Sequence, residues 1–311
     1  MEILKNPHYD FLGKSKIFVP LSIALTLASL AYMTFHGIRY GVEFQGGTQV
    51  IVRFTSPPQI DRIRSVADKT TRGAVIQTYD DPKKNQVLIR LPGGEQEGAE
   101  LSLQAQGVLA GLARDYAENP VKEFSTEIVG PTVGQELRKK AVQLTLFGLL
   151  FQFVYIWFRF GGAAWGAAAT IAVFHDVIIT LGLLVLCGYE VTLNVIAALL
   201  TLVGYSVNDT IVIFDRVREN LRQRRKEPLD KVINDSVNQT LSRTLISSGT
   251  TFLTVLGLYL FGGEVLRGFG FTMVVGIIIG TYSTIYIAAP IVVWWDQYRR
   301  RQRSPAARAA L

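Results

Sequence analysis

The chain has 311 residues, 49% of them hydrophobic, a formal net charge of +7 and a single cysteine, with a mean hydropathy of +0.26. Soluble domains approach the same apolar fraction, so segregation sets the class: the apolar residues fall into runs of about 20, each long enough to cross a bilayer. Cys187 alone excludes a disulfide framework and a cysteine-based metal site, and the basic excess at span ends and in the tail points to membrane topology more than to nucleic acid.

A basic N-terminus (Lys5, Lys14, Lys16) precedes the apolar run 17–35. The pattern resembles a secretory signal, and Ser29-Leu30-Ala31 offers a cleavage site. The run exceeds a signal h-region, however, and reads as a retained first helix. Residues 37–138 are a different material, with mixed charge, prolines and glycines. Strand periodicity marks 48–54, 75–79, 86–91 and 121–129, with a hairpin around Asp81-Pro82, and helical periodicity marks 59–70 and 100–118. The order β-α-β-β-α-β predicts a small ferredoxin-like α+β domain of about 100 residues, enough to hold its own core.

Five more spans follow at 141–158, 163–186, 191–214, 244–261 and 269–295, with a hydrophilic stretch at 215–243 and a basic tail from Arg299. The expectation is a polytopic α-helical membrane protein of six transmembrane helices with one extracytoplasmic domain. Its parts are 1–36, 37–138, 139–298 and 299–311. By parity the N-terminus, the Arg159 turn, the stretch 215–243 and the tail share one side, and they carry nearly all the loop Lys and Arg. The positive-inside rule then places both termini in the cytoplasm and the α+β domain outside. The tail suits anionic lipid and equally ribosomal RNA.

Ionisable groups at membrane depth cost a few kcal/mol unless they face a partner or water. His175 and Asp176 lie mid-way along the third span, Asp209 toward the cytoplasmic part of the fourth, and Arg243 opens the fifth. Thr201, Tyr205 and Asp209 share one helical face, with Asn208 beside it, and Arg243, Ser247, Thr250 and Thr254 share another. Two such stripes on consecutive antiparallel spans line a seam suited to a proton path. Only the carboxylate switches there, since arginine stays protonated, so Asp209 with Arg243 is expected to be a pair that a proton releases. The membrane potential supplies about 2.3 kcal/mol per charge per 100 mV, enough to bias a rocking helix pair. His175 has no i+4 ligand partner, which argues against a metal site. An aspartyl intramembrane protease lacks its glycine-aspartate context here, and no nucleophilic triad, P-loop or dinucleotide fingerprint is present. Gly276 and Gly280 are spaced for close helix approach on the sixth span.

Four stretches in order resemble the SecD/SecF family of bacterial protein-export membrane subunits, within the RND transporter superfamily. Gly41-Val42-Glu43-Phe44-Gln45-Gly46-Gly47-Thr48 resembles the G-x-D-F-x-G-G-T motif, with Glu43 in place of Asp. Residues 129–137 resemble the segment leading into the second span, 204–220 the fourth-span signature and 239–251 the fifth. The resemblance implies an RND-type half bundle and a non-enzymatic accessory that uses the proton-motive force, without a cofactor, to promote late translocation. It implies proton-transport roles for Asp209 and Arg243, and a less defined one for His175 and Asp176. The implied partners are SecD, the SecYEG channel, SecA and YidC indirectly, the translocating preprotein and membrane lipid, with nucleic acid not among them. The implied location is the bacterial inner membrane. The alternatives are a small-molecule RND-type efflux transporter and a passive scaffold; in the latter an Arg243→Met variant loses assembly and not only proton sensitivity.

Overall fold

A computed structural model describes residues 7–71, 73–79, 82–93 and 98–303. Lys5, Asp81 of the expected hairpin turn and the tail beyond Arg303 lie outside the described residues. The first span is α1 (Phe11–His36), opened by Asp10, whose Oδ1 accepts from the Gly13 amide at 2.7 Å. It is tied into the bundle: the Ser22 and Tyr282 hydroxyls meet at 2.7 Å, and Asn238 accepts from the Tyr9 amide at 2.8 Å.

A short turn of helix, α2 (Val42–Gln45), leads into the α+β domain. Its elements are β1 (Gly47–Phe54), α3 (Ile60–Thr70), β2 (Val75–Tyr79), β3 (Gln86–Pro92), α4 (Ala99–Asp115) and β4 (Val121–Val129). The sheet order is β2-β3-β1-β4 with every pairing antiparallel, the ferredoxin-like topology that the element order predicts. Inward-facing Val50, Val52 and Phe54 of β1 pack with Val87, Ile89 and Leu91 of β3 against Ile63, Val66, Val108 and Leu112 of the two helices. Each contributes roughly 1.5–3 kcal/mol by burial. β4 is an edge strand, exposed along most of its length, with Phe124 and Ile128 open to solvent.

The remaining spans are α5 (Pro131–Phe160), α6 (Ala163–Leu186), α7 (Leu193–Gln223) and α8 (Leu229–Phe261). The last span is composite: α9 (Gly263–Ser283), a π-helical turn (Thr284–Ala288) and α10 (Ala289–Arg303). Six helical stretches are thus long and apolar enough to cross a membrane. Three helices outrun the apolar runs that revealed them. α5 starts at Pro131, where a proline suits the first helical position. The hydrophilic stretch 215–243 is mostly helix, because α7 and α8 continue past the membrane as a hairpin. That hairpin is held by Arg216 donating to Gln239 at 2.6 Å, Asn220 to Ser236 at 2.8 Å and Arg224 to Asp235 at 2.8 Å. Hydropathy marks where lipid contact ends, not where the helix does.

The π-turn has a sequence cause. Pro290 lacks an amide and crowds the carbonyl four residues back, so the preceding turn widens. Gly276 and Gly280 both face α7. A Cβ on Gly276 would meet Leu202 at 2.5 Å, and one on Gly280 would meet Ser206 at 3.1 Å, so the pair sets the close α7–α9 approach.

Candidate functional site

Asp176 is the most enclosed carboxylate of the bundle, 0% exposed. Its Oδ2 accepts from Ser206 of α7 at 2.6 Å and from Ser283 of α9 at 2.8 Å. Its Oδ1 lies 3.0 Å from His175 Nδ1. One turn further along, Thr210 and Thr284 exchange a hydrogen bond at 3.0 Å. This network crosses α6, α7, α9 and the start of the π-turn, and Ser283 and Thr284 also bond back to the Gly280 carbonyl, as hydroxyls do within a helix. His175 and Asp176, adjacent in sequence, bond to each other. The other imidazole nitrogen, Nε2, is buried without a partner, and the ring lines a cavity of about 360 Å³ between α1, α6 and α10.

Asp209 occupies a second site. It is 3% exposed and its Oδ2 accepts from Ser248 of α8 at 2.8 Å. The expected Asp209–Arg243 ion pair is not closed: among the described residues no charged group lies within salt-bridge distance of either, and Arg243 is exposed. Ser248 is five residues beyond Arg243, about 7.5 Å along the helix, and the Arg243 charge still acts on Asp209 through space. The supporting stripe is turned differently from the expectation. Ser247, Thr250 and Thr254 bond back to their own helix, as does Thr201. Asn208 is exposed, and the Tyr205 hydroxyl is enclosed without a partner.

Two further features follow from this turn. Along α7, Ala197, Thr201, Gly204 and Asn208 form an exposed stripe of small and polar residues at i, i+4, i+7 and i+11. The structure therefore contains two separate polar sites, one enclosed around Asp176 and one beside an uncovered helix face. Ser206, Ser283, Thr210, Thr284 and Ser248 escaped the sequence reading because lone hydroxyls in apolar runs are common. The signal present was the small, polar run 280–284, six residues before Pro290.

The glycine-rich motif after α1 forms the joint between domain and bundle. Phe44 is buried against Leu184, Val191, Val195 and Leu199, and the Thr48 hydroxyl donates to the Leu101 carbonyl at 3.2 Å. Gly46 and Gly47 have φ of +75° and +134°. A side chain on Gly46 would strike Pro131 and one on Gly47 the Leu91 carbonyl, so glycine is required twice over. Glu43 sits in this joint with one carboxyl oxygen buried and unpartnered. Burial, and then Glu127, raise its carboxyl above the usual 4.5, against lowering contacts from backbone amides and Arg90. The folded protein holds that proton more tightly than the unfolded chain, so the contribution to stability is present at low pH and is lost as pH rises through the raised value. Glu43→Gln should therefore raise stability at pH 7 by up to ~0.5 kcal/mol, screening by water discounted, with the gain vanishing near pH 4. Thermal unfolding of the detergent-solubilised chain at the two pH values checks it.

Residues 110–298 match the family described as "Protein export membrane protein SecD/SecF, C-terminal", and residues 31–58 match the "SecD/SecF GG Motif". The chain is 37% identical to the protein translocase subunit SecF of Koribacter versatilis, covering 98% of this chain and 96% of that one. It is 41% identical to the protein of the same name from Desulfurispirillum indicum, covering 94% and 93%. The crystal structure of SecDF, a translocon-associated membrane protein from Thermus thermophilus, superposes with a TM-score of 0.81 at 36% identity over 94% of this chain. This chain spans 39% of that longer protein. A second SecDF structure, described as the super-membrane-facing form, matches with a TM-score of 0.71.

Proposed function

The chain belongs to the SecD/SecF family of protein-export membrane proteins, and on that premise we propose that it works as a proton-driven accessory subunit of the Sec export machinery, promoting the late translocation of polypeptides. The carrying observation is Asp209: an enclosed carboxylate at membrane depth, held by one hydroxyl, with a cation close by and a polar helix face beside it. A carboxylate so placed is one proton away from neutrality, and neutralising it removes its attraction for Arg243 and weakens the charge-assisted hydrogen bond from Ser248. Either change biases how α7 and α8 pack. The work is conformational, needs no cofactor and makes no covalent bond.

The uncovered stripe Ala197–Thr201–Gly204–Asn208 supports a partner bundle. Small residues at that spacing admit a second helix closely, and polar groups at membrane depth are poorly placed against lipid. SecD is the partner proposed, completing the two-fold arrangement of RND-type bundles; the fused SecDF of Thermus thermophilus supports it. SecYEG, and through it SecA and YidC, complete the assembly. The free edge of β4, with exposed Phe124 and Ile128, suits contact with an emerging preprotein. The membrane proposed is the bacterial inner membrane, as the family membership implies, and by the positive-inside rule both termini are cytoplasmic.

Co-reconstitution with SecD and SecYEG in vesicles that bear an imposed proton gradient tests the proposal. Translocated preprotein should rise when the chain is present and the rise should collapse with an uncoupler. Equal translocation with and without the gradient overturns it, and gradient-dependent extrusion of a fluorescent drug would instead favour small-molecule efflux.

A further inference from the structure

The extracytoplasmic domain is joined to the bundle by two chain crossings, residues 37–46 and Gly130, and these lie side by side. A Cβ on Gly46 would sit 2.8 Å from Pro131 Cα, and one on Gly134 would sit 3.1 Å from the Gly46 nitrogen and the Phe44 carbonyl oxygen. Two tethers meeting at one point make a pivot, which restrains translation of the domain and leaves rotation weakly restrained. Close to that joint, where Arg90 faces Gln49 two residues beyond Gly47 in the β1–β3 register, the Arg90 guanidinium of β3 pairs with Glu190 in the loop between α6 and α7. Among the described residues it is the one ion pair that joins sheet to bundle. Both side chains are about four-fifths enclosed, with relative exposures of 19% and 21%.

Glu190 is well placed to pass a displacement onward. Its neighbour Val191 is stitched to the first tether, accepting from the Gly41 amide at 2.9 Å and donating to the Arg39 carbonyl at 2.8 Å. The next residue, Thr192, caps α7 through the Val195 amide. Asp209 lies about 24 Å down the same helix from its start at Leu193. Glu43 of α2 feels both the Arg90 charge and Glu127 of β4, and Glu127 shares the cross-strand row of Arg90 through Gln49; of these carboxylates and Glu190, only Glu190 belongs to the bundle.

We propose that Arg90 and Glu190 are a positioning pair, a strut beside the joint that makes the orientation of the extracytoplasmic domain follow movement of α7. The proposal rests on the reading of Asp209 as the proton-responsive group of that helix. Exposed Cys187, the chain's single thiol, and a Leu103→Cys variant on the exposed side of α4 give two spin-label sites, one on each body. The distance between them is measured in the full chain reconstituted with SecD, alongside gradient-driven export.

Arg90→Glu and Glu190→Arg should each broaden the distance distribution and raise the detached population about fivefold, the factor for roughly 1 kcal/mol. Each should also lower gradient-driven export, and the exchange Arg90→Glu with Glu190→Arg should restore both readouts. An unchanged distribution in the single variants overturns the strut. So does a broadened distribution with wild-type export, or an exchange variant that assembles with SecD yet restores neither readout. Failure of the Asp209 reading shows itself separately: wild-type export in an Asp209 variant with Arg90 and Glu190 intact.

Discussion

Asp209→Asn should abolish the gradient-dependent part of export and leave the assembled complex intact. The substitution keeps shape and volume, and the amide oxygen still accepts from the Ser248 hydroxyl that Asp209 holds at 2.8 Å. What disappears is the ability to gain and lose a proton. Stability should move by less than ~1 kcal/mol, as for a near-isosteric change that keeps its hydrogen bond. The gradient-dependent increment in translocated preprotein should fall at least about tenfold, since the membrane potential acts only through a group that changes charge. Vesicle translocation with and without uncoupler reads the first quantity, and recovery of SecD with the tagged chain reads the second. Normal stimulation in the variant would remove Asp209 from the mechanism.

The second large effect is expected at Asp176, and it is one of stability. Asp176→Ala removes the acceptor from two buried hydroxyls and an imidazole, leaving Ser206 and His175 unpaired in an enclosed space, while Ser283 keeps only its bond to the Gly280 carbonyl. Each orphaned group costs about 1–3 kcal/mol, so a loss of ~3 kcal/mol or more is expected, visible as a lowered thermal midpoint in detergent and reduced yield. Replacing the whole cluster by apolar groups, Asp176→Leu with Ser206→Ala and Ser283→Ala, should recover most of that loss, because a buried polar network is often no more stable than a well-packed apolar one. The triple variant also separates two roles. If the cluster only fixes the register of α6, α7 and α9, export returns with the fold. If Asp176 carries protons, the chain folds and gradient-dependent export stays lost.

The contrast between these carboxylates was half visible in the sequence. Both stood out as charges in apolar runs. Which of them is enclosed and which lies beside an open helix face depends on how α7 is rotated, and an error of one residue in the assumed face moves a side chain by 100°. That is why Ser247 was read as the seam residue on α8 while Ser248 holds Asp209, and why Thr201 and Asn208 turn outward.

Some properties were local and therefore legible. The six spans follow from apolar runs against bilayer thickness, and the ferredoxin-like domain follows from periods of two and 3.6 residues in the order β-α-β-β-α-β. The glycine motif was legible as a motif because Gly46 and Gly47 need backbone conformations open to few other residues. Other properties belong to distance in space. The hydroxyls that satisfy Asp176 arrive from positions 30 and 107 residues away, the strut from Arg90 to Glu190 spans 100, and the stripe on α7 is open because, among the described residues, no helix covers it. Sequence by itself determined which segments cross the membrane and which fold outside it, because burial in lipid and strand alternation act on neighbouring residues. Tertiary structure alone decided which polar group meets which, because a buried hydrogen bond is chosen by helix rotation and packing, and neither leaves a periodic trace along the chain.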